Sequence, residues 1–235
     1  MKPIFLISAF AIAMSSSLAV SAADINGEKG QSSKALNVTG SIGAPTCKFE
    51  MNAEQAVEFG TIALSQIKMD TVTAGTISSI PGAFFVQCDA KTLVQMQIKD
   101  TYAKVLLEDN KHNQLFSGRF GPDSQFALVD KNDPDKLIGS YVIVPSKISI
   151  TDDGKETTNL GLHVQGGRAV PAFVSTKIGS DEQETLVIGG PNGVASKLMN
   201  VGFHIEPNFL PKKSWLAEGS DIEIIGDATF SMVYL

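Results

Sequence analysis

The sequence predicts an all-β fold, a two-sheet sandwich closed by one disulfide, and three observations carry that expectation. Apolar and polar residues alternate with a period of two in short runs. Those runs are rich in Thr, Val and Ile and are separated by Gly, Asp, Asn and Pro. No window of roughly eleven or more residues keeps a helical period, and no repeat of roughly 20 to 50 residues is present. At 235 residues, 43% apolar and 19% charged, the chain has the size and composition of one globular domain.

In chain order, the first element is an export signal. Lys2 supplies a charged start, residues 4–13 an apolar run too short to span a bilayer, and Val20-Ser21-Ala22-Ala23 the small residues of a cleavage site. Residues 1–23 are therefore expected to be a secretory signal peptide. Residues 24–34 are polar, with Ile25 the one large apolar side chain, and read as a flexible leader. The domain is expected over 35–235. Its first strand is 36–42, where Leu36, Val38 and Ile42 face one way until Gly43-Ala44-Pro45 breaks the run. Further strands are expected at 57–62, 77–86, around Leu93, Met96 and Ile98, and at 102–107, 141–150, 160–164, 169–174, 186–188 and 201–205. Turns are expected at Gly121-Pro122-Asp123, Asn132-Asp133-Pro134-Asp135, Asp152-Asp153-Gly154 and Pro191-Asn192-Gly193. No second apolar stretch is long enough for a membrane helix, so the mature chain is expected to lack a transmembrane segment.

The two cysteines, Cys47 and Cys88, are expected to pair, because an exported chain meets an oxidising environment. Neither lies in a CxxC motif, so a redox role is not expected.

The most informative segment is the C-terminus. From Ile222 the even positions are Ile222, Ile224, Gly226, Ala228, Phe230, Met232 and Tyr234, while the odd ones are mostly polar until Val233. One face is thus apolar, and its burial at about 1.5–3 kcal/mol for each large side chain would rival the net stability of a domain. Such a strand either simply ends a sandwich or borders a place where a partner's strand is added.

Charge and motifs exclude other function classes. Nineteen Lys plus Arg against 25 Asp plus Glu give a net charge of −6, which argues against a nucleic-acid surface. His112, His163 and His204 have no ligand spacing, and the acidic runs 130–135 and 152–153 lack the calcium-loop pattern, so no metal or cofactor is expected. A nucleophile elbow is absent, and Gly189-Gly190-Pro191-Asn192-Gly193 lacks the Gly-Lys-Ser/Thr of a phosphate loop, so no catalytic residue is assigned. Trp215 and Arg168 read as core packing or loop surface, and the sequon Asn37-Val38-Thr39 as coincidence.

Val38-Thr39-Gly40-Ser41-Ile42 before Cys47, then Val57-Glu58-Phe59-Gly60-Thr61-Ile62, the stretch from Phe84 to Cys88, and an alternating end with Tyr234 next to last together resemble pilin-like subunits of bacterial chaperone-usher fimbriae. A narrower similarity is to the GltF-like family, exported proteins of unknown role often encoded beside fimbrial chaperones and ushers. It rests on Phe126-Ala127-Leu128, on Leu137-Ile138-Gly139-Ser140-Tyr141 and on the ending 228–235. The resemblance implies an immunoglobulin-like sandwich with a disulfide from first to second strand. It also implies a location in the periplasm or in a surface fimbria. The implied partners are a periplasmic chaperone, an usher and other fimbrial subunits. Ile222, Ile224, Ala228, Phe230, Met232, Tyr234 and Leu235 would form the zipper that a chaperone grips. Two readings stay open. One is a non-catalytic fimbrial subunit or accessory folded through strand complementation. The other, motivated by the polar leader and the extra length between 107 and 211, is a self-complete soluble periplasmic sandwich that binds a ligand or surface without polymerising.

Overall fold

The computed structural model describes residues 45–51, 64–175, 184–216 and 222–234, all within one compact unit spanning 43–235. The expected signal peptide, the leader and the strands at 36–42 and 57–62 lie outside the described residues, as does Leu235.

The described chain is mostly β, in two sheets with a sandwich-like arrangement. Its strands are β1 (Cys47–Met51), β2 (Thr73–Ala74), β3 (Ser78–Thr92), β4 (Val94–Asp100), β5 (Phe126–Asp130), β6 (Asp133–Asp152), β7 (Lys155–Thr158), β8 (Leu162–Val164), β9 (Ala169–Val170), β10 (Leu186–Ile188), β11 (Ser196–Phe209), β12 (Ile224–Ile225) and β13 (Ala228–Tyr234). The first sheet runs β1-β3-β11-β6-β5-β12, with β2 added to β11 and β7 to β6. The second runs β13-β4-β10-β8-β9. All pairings are antiparallel.

Alternation decides what each strand buries. On β11, Met199, Val201, Phe203 and Ile205 are buried, whereas His204, Glu206 and Asn208 are only partly covered. On β4, Met96 and Ile98 point into the core and Lys99 to solvent. Five phenylalanines tie the layers together. Phe84 of β3 meets Phe49 at 5.8 Å and Phe230 at 6.0 Å, and Phe203 of β11 stacks on Phe230 at 6.3 Å. Phe173 meets Phe203 edge-on at 6.2 Å and Phe230 at 5.7 Å.

The segment 102–107, expected as a strand, is instead helical: α1 (Ala103–Leu107) is followed by a single turn, α2 (His112–Leu115). Ala103 and Leu106 are buried three positions apart while Lys104 and Leu107 are exposed, which is helical spacing and not the period of two. Ala, Lys and Leu also favour helix. A run of five residues is too short for its period to stand out in a sequence window. This helical segment covers the outer face of the first sheet, which is why residues 138–143 of β6 are buried on both faces. Buried Gln125 fastens it: its amide donates to the carbonyls of His112 and Phe120, both at 3.1 Å, and its oxygen accepts the Ser140 hydroxyl at 2.9 Å. Arg119 adds a fork onto Glu206 at 2.9 and 3.4 Å while lying over the Phe120 ring.

Most other expectations match the observed elements, with lengths set by packing. The expected strand at 169–174 pairs only over Ala169–Val170, because Ala172, Phe173 and Val174 turn into the core. Residues 126–130, not expected as a strand, form β5, every position of which is buried. The 152–154 turn joins β6 to β7 with Asp153 at φ 46° and Gly154 at φ 78°, the doubly positive geometry of a tight hairpin. The turn expected at 132–135 is shorter: the strand resumes at Asp133. Gly139 has no room for a side chain, since a Cβ would strike the Asn208 carbonyl across the β6–β11 pair. Trp215 is buried and donates to the Leu210 carbonyl at 2.9 Å.

The Cys47–Cys88 disulfide is formed, and it joins directly paired positions of β1 and β3. The residues it links are 41 positions apart, so it removes considerable loop entropy from the unfolded chain. Replacing both cysteines by serine should lower unfolding stability by about 2–4 kcal/mol, read from urea unfolding followed by the fluorescence of Trp215, the single tryptophan.

Candidate interaction edge at the C-terminal strand

The C-terminal run expected as one alternating strand is divided between the two sheets. Ile224 and Ile225 pair with Asp130 and Val129 of β5 in the first sheet. Ala228 to Tyr234 then pair without interruption with β4 in the second, from Ala228 opposite Asp100 to Tyr234 opposite Val94. Gly226 and Asp227 make the crossing. A Cβ on Gly226 would meet the Tyr141 ring at 2.6 Å, the Ala127 carbonyl at 3.0 Å and Leu128 at 3.0 Å, so the crossing lies against β5 and β6 too closely for any side chain. Asp227 is held from the turn after β4: the Thr101 amide donates to its carbonyl at 3.1 Å, and the Thr101 hydroxyl to its carboxylate at 2.7 Å.

The alternation itself is retained. Ala228, Phe230, Met232 and Tyr234 face the core, and Thr229, Ser231 and Val233 face out. The core-facing four are half-buried, not deeply buried as the pattern suggested. The reason is position, because β13 is the last strand of its sheet and has a neighbour on one side only among the described residues. Partial burial raises the Tyr234 phenol above its ordinary range. Ile222 and Ile224 also pack on the core, but Ile224 does so from the opposite sheet.

Among the described residues the strands with a single neighbour are β1, β2, β7, β12, β9 and β13, and they differ in how they resist pairing. On β1, Lys48 and Glu50 point outward as an ion pair. Beside β12, Lys131 and Glu223 pair at 2.5 Å, and β12 and β9 are two residues each. Charge and brevity both blunt an edge. By contrast, β13 has seven residues, no charge, no proline and no register shift, and Val233 is 38% exposed. It is the one edge that keeps the features of a pairing template.

An acid lies where the strand begins. Asp100 continues the core-facing series of Val94, Met96 and Ile98 and is 5% exposed. Its carboxylate accepts the Tyr102 amide at 3.0 Å and the Ala127 amide at 2.9 Å, joining α1 and β5 to the end of β4. Burial pushes its carboxyl up to about 6 despite those two donors, and the nearby charge of Asp227 pushes the same way. The buried Tyr141 phenol is raised by burial, and further by the same two carboxylates. Sequence reasoning did not single out Asp100. Its signal was an acid in an otherwise apolar alternating series. Phe84, Phe173 and Phe203, which seat Phe230, had no local signal, since they come together from three distant segments.

The acids of the runs at 130–135 and 152–153 make local contacts. The Asp130 carboxylate accepts the Asn132 amide at 3.0 Å and lies 3.8 Å from Lys136, while Lys91 bridges Asp152 and Asp153. No helix of the described residues is long and apolar enough to cross a membrane. No protein-family model matches the chain, and no curated protein matches its sequence.

Phe230→Ala should cost about 3 kcal/mol, the low end for a phenylalanine truncation because the ring is half-buried, whereas Ser231→Ala should stay within about 0.5 kcal/mol. Gly226→Ala should cost about 1–3 kcal/mol through overpacking against Tyr141. Urea midpoints of the three variants check both statements.

Proposed function

We propose that this protein is a non-catalytic fimbrial or fimbrial-like subunit or accessory, exported to the periplasm and folded there by a chaperone that lends a strand, with an usher and other fimbrial subunits as later partners. One observation carries the reading: among the described residues β13 is a long, uncharged edge whose core-facing side chains are half-covered. A strand added beside it would satisfy its outer backbone groups and finish covering Phe230, Met232 and Tyr234.

The strand order gives further support. If β1, β3, β4, β6, β11 and β13 are taken in chain order as the first six strands of an immunoglobulin-like sandwich, the first sheet contains them in the order first, second, fifth, fourth. The second sheet then pairs the third with the sixth. Taken so, the order is consistent with an immunoglobulin-like arrangement in which the place of the seventh strand would lie at the outer edge of β13. The disulfide between the first and second strands agrees with the pilin-like resemblance.

Residues 24–235 should be expressed in a periplasm with and without a fimbrial chaperone. Monodisperse protein is expected only with the chaperone, in a complex that Phe230→Ala weakens by about tenfold or more. Equal yields of monodisperse monomer in both cases would overturn the proposal and favour the self-complete sandwich.

A further inference from the structure

Two carboxylates lie where β13 joins its sheet, Asp227 in the crossing and Asp100 at the end of β4 opposite Ala228, and Asp100 differs from several other acids of the described fold. Asp130, Asp152, Asp153 and Glu206 each lie within 4 Å of a lysine or arginine. Asp100 accepts two backbone amides, among the described residues no cation acts on it, and the charge that does act on it is another carboxylate, Asp227. It sits on the core side of β4 opposite Ala228, one residue from Asp227.

The groups around it are readily named. Tyr141 faces it from β6 as a neutral phenol. The turn into α1 contributes the Tyr102 amide, and β5 the Ala127 amide, with Phe126 to Val129 carrying no charge. Lys99, next in sequence, points with Thr229 to the opposite, exposed face. Thus a charge on Asp100 is unpaired, buried and repelled at the one point where β4, α1, β5 and the crossing meet.

We propose that the Asp100–Asp227 pair is a proton-dependent latch, so that the start of β13 is seated more firmly in mildly acidic medium than at neutral pH. The inference concerns how the strand is seated and holds whatever covers its outer edge. Linkage gives the direction. A carboxyl near 6 in the fold and near its ordinary value of 3.8 when exposed binds more protons folded than unfolded between those limits. Its stabilising contribution is therefore complete below about 4 and is lost as pH rises through about 6.

Amide exchange along β13 and at Thr101, corrected for intrinsic rates, tests this on the full mature chain. Local opening should be more frequent at pH 7.5 than at pH 5, by up to about tenfold where opening exposes Asp100 fully, the part of a two-unit shift that falls in that window. In Asp100→Asn the pH response should vanish. In Asp227→Asn, which leaves Asp100 and its two amide bonds in place, it should shrink. A ¹³C titration of the Asp100 carboxyl should have its midpoint near 6. Equal protection at both pH values in the wild type, an unchanged response in either variant, or a midpoint near 4 would overturn the latch. A chaperone requirement without a pH response would reject the latch alone, and a pH response without a chaperone requirement would reject the functional proposal alone.

Discussion

The described architecture hinges on a change of sheet within a few residues. The chain leaves β5's side at Ile225 and joins β4 at Ala228, and between them it passes flush against the Tyr141 ring and the Ala127 carbonyl. The steric demand falls on Gly226, and the polar demand on Asp227, Thr101 and Asp100. The crossing in turn positions the final strand. The register of β13 on β4 starts there and runs without a bulge, so the crossing decides that Phe230 reaches Phe84, Phe173 and Phe203. A slip of one residue would turn Thr229 and Ser231 inward.

Three kinds of stabilisation are thereby separated in space. One end of the sandwich is fastened covalently, by the Cys47–Cys88 bridge across β1 and β3. The crossing end is fastened by hydrogen bonds onto acids, and the middle by aromatic rings from both sheets. Edge strands between these anchors gain burial on one side only, so β13 contributes less apolar area than its composition would allow. That shortfall links packing to function in the proposed reading, because the uncovered part is the area that an added strand would bury.

The helical segment between β4 and β5 shows where pattern reading loses its force. Its periodic stretch is a single turn or so, which the surrounding β signal outweighs, and it holds its place through Gln125, Ser140, Asn208 and Arg119, four residues scattered over the chain. The same limit hid β5, whose five residues are all buried and so show no alternation. Conversely, strands half-exposed in the fold, such as β3, β11 and β13, were legible because water on one face imposes a period of two. The disulfide was legible for a different reason, since two cysteines in one chain leave one intramolecular pairing.

By itself, the sequence determined the β-rich class, the cysteine pair and the apolar face of the final strand, because each depends on composition or on near neighbours along the chain. The tertiary structure alone decided that this final run belongs to two sheets, that Phe230 closes a ring cluster drawn from β3, β11 and the segment after β9, and that Asp100 is buried with no cation acting on it among the described residues. These are relations between segments far apart in sequence. Contact across such distances is set by how the two sheets stack, and no local period records that.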